Sequence, residues 1–239
     1  LTVQGKTATA EINGTAIWKT TALEGQGGGW IALQVEEPSG GVIFYRNVQI
    51  TELDHTPMLG EGLSGWEAPE GDPSVCWKRE GEELVCTGAK GPWLRYAQPV
   101  KDFNLRLEYL LKEGGNSGVY VRVPADGTHH GAGSGIEVQI LDDASPRYRN
   151  LKPYQYSGSL YAIVPADPRC TRSAGEWNSL EIDCRGDQYV VRQNGVEVIR
   201  TRGSVAPELL ERRLEGYLGL QNHSEEVRFR HLRIGHSRQ

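Results

Sequence analysis

The run Gly135-Ile136-Glu137-Val138-Gln139-Ile140-Leu141-Asp142-Asp143 begins as a strict alternation of apolar and polar side chains. Ile136, Val138 and Ile140 fall on one face and Glu137 and Gln139 on the other, the pattern of a strand with a period of two. Asp142 breaks the alternation, and a bulge after Gln139 would return its carboxylate to the face of Glu137. A second strand is predicted over 116–123, with Val119, Val121 and Val123 on one side and Gly118, Tyr120 and Arg122 on the other. A third, 216–221, buries Leu218 and Leu220 and turns Tyr217, Gly219 and Gln221 the opposite way, with His223 just beyond. A half-exposed antiparallel strand shows polar residues outward for solubility alone. Three such faces carrying an arginine, an aromatic ring and carboxylates suit a polyhydroxylated ligand, which needs fixed donors beside an aromatic surface.

The rest of the chain reads as short strand-like runs between Gly- and Asn-containing turns, with one helical stretch of a turn or two at 207–213. That is an all-β pattern, and 239 residues hold one large sandwich and a fraction of another. The fraction shows as a repeat. Ile12-Asn13-Gly14 parallels Gln193-Asn194-Gly195, Trp30-Ile31-Ala32-Leu33-Gln34 parallels Tyr217-Leu218-Gly219-Leu220-Gln221, and Tyr45-Arg46-Asn47 parallels Phe229-Arg230-His231. Residues 1–53 therefore read as the final strands of an upstream copy, 54–61 (with Pro57 and Gly60) as a linker, and 62–236 as a complete domain. No histidine follows Gln34 as His223 follows Gln221, so the upstream copy is not expected to be catalytic. Unpaired strands seek partners, and these could also mediate an oligomer. The loop 126–135 carries His129 and His130, which read as solvated loop residues or as a lid over a cleft. The loop 143–157 holds Arg147, Lys152 and several tyrosines and is long enough to be functional.

From about Met58 to Ile234 the chain resembles the 3-keto-disaccharide hydrolase domain family. The pieces that carry the resemblance are Leu63-Ser64-Gly65-Trp66, Phe103-Asn104-Leu105-Arg106, Gly115-Asn116-Ser117-Gly118-Val119-Tyr120 and Glu137-Val138-Gln139-Ile140-Leu141-Asp142. Gly158-Ser159-Leu160-Tyr161, Glu176-Trp177-Asn178, Gly219-Leu220-Gln221-Asn222-His223 and Phe229-Arg230-His231 follow in order, with His231 where the family pattern has Asn. The resemblance implies a two-sheet antiparallel, concanavalin-like jelly-roll β-sandwich. It also implies cleavage of glycosides already oxidised at C3, by loss of the C2 hydrogen and elimination at C1, followed by addition of water. Such chemistry needs a base, an acid for the leaving group and donors for an enolate oxygen. Glu137, Asp142 and His223 are the candidate acids and bases, with the C2 hydrogen assigned to Glu137. Asn116, Tyr120, Arg122, Gln139, Lys152, Tyr161 and Gln221 are the expected substrate-binding set. Glu137-x-Gln139-x-x-Asp142 has the spacing of the laminarinase motif but lacks its middle carboxylate, which argues against ordinary two-carboxylate hydrolysis.

The net charge of −5 speaks against nucleic acid or an anionic membrane as partner, and no run is long and apolar enough to span a bilayer. No cofactor or metal is expected; Asp142 and Asp143 alone are too few oxygen donors to argue for Ca²⁺. The four cysteines have no metal-binding spacing. Cys76 and Cys86 mirror each other about Gly81, and Cys170 and Cys184 enclose a local loop, so two disulfides are expected against the alternative of buried thiols. That pairing, with a start at Leu1 rather than Met, suggests a periplasmic or secreted protein. A non-catalytic carbohydrate-binding module and a structural domain of a larger exported protein are the competing functions. The acid–base residues favour the enzyme.

Overall fold

Alternation becomes two packed antiparallel sheets. In this computed structural model residues 1–24, 31–34 and 42–238 are described, and they divide into two units, Leu1–Leu53 and Asp54–Gln239. The larger unit opens with β4 (His55–Pro57), β5 (Trp66–Glu67), β6 (Trp77–Glu80), β7 (Glu83–Thr87), β8 (Leu94–Tyr96) and β9 (Phe103–Leu111). It continues with β10 (Asn116–Val123), β11 (Ile136–Leu141), β12 (Asn178–Arg185), β13 (Gln188–Gln193), β14 (Val196–Arg202), β15 (Tyr217–Leu220) and β16 (Glu226–Gly235). A five-stranded sheet runs β11-β10-β15-β8-β5; an eight-stranded sheet runs β14-β13-β12-β9-β16-β7-β6, with β4 also on β16. The unit is a two-sheet antiparallel β-sandwich of the concanavalin-like jelly-roll class. The helical stretch expected near 207 is a 3-10 turn, Pro207–Glu211. Among the described residues no helix is long and apolar enough to cross a membrane.

The inner faces make the core. Val119, Val121, Ile136, Val138, Ile140, Leu218 and Leu220 of the five-stranded sheet meet Leu105, Leu107, Tyr109, Leu180, Ile182 and Phe229 of the other. Burying each of these aliphatic side chains contributes about 1.5–3 kcal/mol. Turn chemistry sets the registers. Asn194 and Gly195 take φ of 51° and 79° between β13 and β14, the pair of positive values a two-residue hairpin requires. His231 sits at φ 53°, inside the register shift between Arg230 and Arg233. Asn and His both tolerate that left-handed conformation, which accounts for the departure from the family's Asn.

Several expectations change. The stretch 54–61 is not a free linker: it begins with β4, whose Thr56 and Pro57 pair with Ile234 and Arg233. The bulge expected after Gln139 is absent, since β11 keeps one register against β10 from Ile136 opposite Val121 to Leu141 opposite Asn116. Asp142 therefore falls beyond the strand, and its carboxylate accepts from Gly114 N at 2.8 Å. The bulge lies instead in β10, between Tyr120 and Val123 where it pairs with β15. It puts Arg122 at φ 54° and turns that side chain into the interior. There Arg122 donates to Lys101 O at 2.7 Å, Gly186 O at 2.5 Å and Tyr189 Oη at 3.2 Å, so it reaches the opposite sheet rather than the polar face.

All four cysteines are free thiols. The β6–β7 turn pairs Glu80 with Glu83, so the hairpin is symmetric about the Gly81–Glu82 bond and Cys86 lies opposite Trp77, one residue off Cys76. Cys170 lies against Gln193 O, opposite Leu180; Cys184 is four residues further along β12, more than about 10 Å away at the rise of a strand. Cysteine pairing thus gives no argument for an oxidising compartment.

Taken by itself, Leu1–Leu53 contains a three-stranded sheet of β1 (Thr2–Gln4), β2 (Thr7–Ile12) and β3 (Thr15–Thr20). Its β2–β3 hairpin turns at Asn13 and Gly14 with φ of 52° and 78°. Residues 31–34 and 45–50, expected as strands, take no strand conformation, although Asn47 has a φ of 52° like its counterpart His231. Trp30 and the positions just after Gln34 lie outside the described residues.

Candidate active site

The outer face of the five-stranded sheet carries a pocket of about 330 Å³. In-register pairing places Asn116 beside Leu141, Gly118 beside Gln139 and Tyr120 beside Glu137, while Gln221 N donates to Gly118 O. Asn116, Glu137, Gln139, Leu141 and Gln221 accordingly line one wall. Gly118 makes room for the carboxylate, since a Cβ there would stand 2.2 Å from Glu137 Oε1. The far edge of β11 is held by the segment of Gly158-Ser159-Leu160-Tyr161: Gly158 N donates to Gln139 O and Tyr161 N to Glu137 O. This brings Tyr161 into the lining, with its hydroxyl accepting from Gln155 Nε2 at 3.0 Å.

Of the residues expected from sequence, Glu137, His223, Asn116, Gln139, Tyr161 and Gln221 line the pocket. Tyr120 is buried behind it, its hydroxyl 3.1 Å from Gln221 Nε2 and its ring stacked on His129. Arg122, Asp142 and Lys152 do not join them. Lys152 is exposed at a 3-10 turn with its ammonium 5.8 Å from the Tyr154 ring. His129, His130, Tyr148, Leu151 and Gln155 line the pocket without having been singled out as ligand-binding. The histidines belong to the 126–135 loop, which is tied down rather than loose. Gly133 N donates to Glu211 O, Arg213 N to Ser134 O, and the Arg212 guanidinium to Gly131 O.

Glu137 is 4% exposed, and burial, partly offset by the Gln221 amide, pushes its carboxyl up to about 7. His129 Nε2 stands 3.3 Å from Glu137 Oε2, and its other nitrogen, Nδ1, lies 3.0 Å from Gly127 O. Burial holds both His129 and His130 below the ordinary imidazole range, so both favour the neutral ring. At the rim, His223 Nδ1 lies 3.0 Å from Glu225 Oε2, and the other oxygen of Glu225 takes Arg147 at 3.0 Å. This leaves Nε2 of His223 for the pocket, an imidazole oriented by a carboxylate. Among the described residues Asn116 Oδ1 and Gln221 Oε1 have no hydrogen-bond partner, an arrangement ready to accept from hydroxyl donors.

The model of the 3-keto-alpha-glucoside-1,2-lyase-like domain matches residues 54–235. A relative from Bacteroides thetaiotaomicron, named 3-keto-disaccharide hydrolase, is 27% identical over 207 residues, covering 72% of this chain. The match spans 65% of that relative's length. A structure from Parabacteroides distasonis, described as a proposed glycosyl hydrolase, superposes with a TM-score of 0.66 at 24% identity, over 75% of this chain and 98% of that one. The carbohydrate-binding module CBM66 from Bacillus subtilis gives 0.51 at 15% identity, over 72% and 96%. At these identities the two structures speak for the fold alone. The family match covers most of the chain, and the chain belongs to the 3-keto-alpha-glucoside-1,2-lyase-like domain family.

Proposed function

We propose that the pocket cleaves glycosides already oxidised at C3 of the sugar, by elimination across C1 and C2. The ketone acidifies the hydrogen on C2. His223 Nε2 takes that proton, and the electron pair of the C2–H bond spreads onto the C3 oxygen as an enolate. The pair then returns to form the C1=C2 bond as the C1–O bond to the aglycone breaks. The departing oxygen takes the proton held by His223, and the aglycone leaves as an alcohol. Water added across C1=C2 completes a net hydrolysis. Glu137 and His129, with the proton they share, face the C3 oxygen and stabilise the charge that develops on it. Asn116, Gln139 and Gln221 receive the sugar hydroxyls.

One observation carries this reading: a buried carboxylate beside a half-buried imidazole and a carboxylate-oriented imidazole share one pocket among amide side chains. The name of the Bacteroides thetaiotaomicron relative supports the substrate class. The chemistry implied by the family resemblance, with the polar-face position of Glu137, assigns the C2 hydrogen to Glu137. Its depth and its His129 partner instead favour the charge-stabilising role, and the rim position of His223 favours the base.

The test compares an oxidised disaccharide with its unoxidised parent, watching for free sugar. Elimination and rehydration in D₂O should leave deuterium at C2 of the product. His223→Ala and Glu137→Gln should each lower kcat by roughly 10²–10⁴. Equal turnover of the unoxidised parent, or product free of deuterium, would reject the mechanism. Saturable sugar binding without any turnover would make the domain a carbohydrate-binding module instead.

A further inference from the structure

The 126–135 loop and β11 bring three metal-ligating side chains to one corner of the pocket. His129, His130 and Glu137 each offer a ligand atom, and these atoms all lie within 4.8 Å of one another. A carbonyl oxygen can only accept, so the 3.0 Å contact to Gly127 O puts the proton of His129 on Nδ1. Its unprotonated Nε2 then stands 3.3 Å from Glu137 Oε2. A carboxylate oxygen and an unprotonated imidazole nitrogen this close require positive charge beside them. A proton answers for two groups; a metal ion answers for all three.

The geometry suits the ion. Two ligands of a tetrahedral zinc-like ion, with bonds of about 2.0–2.2 Å, stand roughly 3.3–3.5 Å apart, the separation His129 and Glu137 already have. The His130 ring centroid is 4.0 Å from that of His129, and its ligand atom already lies within 4.8 Å of those of His129 and Glu137. The Gly127 carbonyl fixes the His129 tautomer, as outer partners do for metal-bound imidazoles, and the Tyr120 ring, 4.5 Å away, stacks on its face. We propose that His129, His130 and Glu137 bind a divalent ion of the zinc class. Two imidazoles and one carboxylate select such an ion over Ca²⁺ or Mg²⁺, which prefer oxygen ligands. Three protein ligands leave a position open toward the pocket. Resting on the elimination reading, that position takes the C3 oxygen of the substrate, and the ion replaces the shared proton as the positive charge beside the enolate.

The experiment strips the full chain with chelator and titrates it with Zn²⁺ by calorimetry and with Co²⁺ by visible absorption, without sugar. The expected result is about one ion per chain and the intense bands of a four- or five-coordinate Co²⁺ site. His129→Ala, His130→Ala and Glu137→Gln should each weaken binding by about 10-fold or more, while His223→Ala leaves it unchanged. His130 is exposed, so its variant tests the ligand set with the fold intact. Absence of saturable binding, or affinity unaltered in both His130→Ala and Glu137→Gln, would overturn the site. Because binding is read without substrate, that failure is separate from failure of the elimination reading. A metal-loaded protein inert toward oxidised disaccharide would overturn the latter alone.

Discussion

At the scale of single residues, space and burial decide what each group can do. Gly118 sits where any Cβ would meet the Glu137 carboxylate, the movable end of a flexible side chain. Gly118→Ala should therefore fold normally yet displace that carboxylate, and a shift near 1 Å typically costs on the order of 10² in turnover. Unfolding curves overlaying wild type, with kcat on oxidised disaccharide reduced, are the expected pair of results. Asp143 is half-buried, and burial, opposed by bonds from Ser157 and Thr171, holds its carboxyl above the ordinary carboxylate range. The folded state then binds this proton more tightly than the unfolded chain does. Asp143 should cost stability at neutral pH, and the cost should vanish as pH falls below the unfolded value of about 3.9. Urea unfolding of Asp143→Asn at pH 7 and pH 3 should show a stability advantage that shrinks on acidification; an advantage that grows would contradict this account.

At the scale of elements, bulges and turns decide where side chains point. The β10 bulge sends Arg122 into the interior, where its side chain is fully buried and satisfies two backbone carbonyls. Removing it orphans Lys101 O and Gly186 O, each worth about 1–3 kcal/mol when buried and unpaired. Arg122→Met should lower the urea midpoint markedly, with KM for any sugar ligand little changed in the protein that remains folded. A change confined to KM would return Arg122 to the pocket. The bulge of β16 makes the opposite demand at His231, whose φ of 53° disfavours a β-branched residue. His231→Val should destabilise by about 1–2 kcal/mol and His231→Asn should not, as read by paired denaturant titrations.

At the scale of the whole molecule, the sequence repeat concerns Leu1–Leu53. The β2–β3 hairpin pairs Ile12 with Thr15 and Glu11 with Ala16, then shifts register; β13–β14 pairs Gln193 with Val196 and Arg192 with Glu197, then shifts in the same way. That likeness extends the sequence parallel between the two segments to the backbone register of their hairpins. Three short strands bury little apolar surface, and Val3, Ile12, Ile17 and Trp18 stay exposed. A fragment of residues 1–53 should show no cooperative thermal transition by circular dichroism, because it falls below the size at which a single core suffices; a sharp transition would refute this. What the sequence by itself determined is the set of faces. The alternation at Ile136-Glu137-Val138-Gln139-Ile140 separates core from cleft, and Asn194-Gly195 marks its hairpin, because both signals are local and steric. Only the tertiary structure decided which polar groups meet. Arg122 left the cleft because a bulge's position depends on the neighbouring strand, and Asp142 stayed out because β11 has no bulge. His129 and His130 entered because the loop is anchored by residues some 80 positions away, such as Arg212 and Glu211. Glu225 became the partner of His223 through a turn with no periodic pattern. Such contacts are long-range or aperiodic, and no local pattern of apolar and polar residues encodes them.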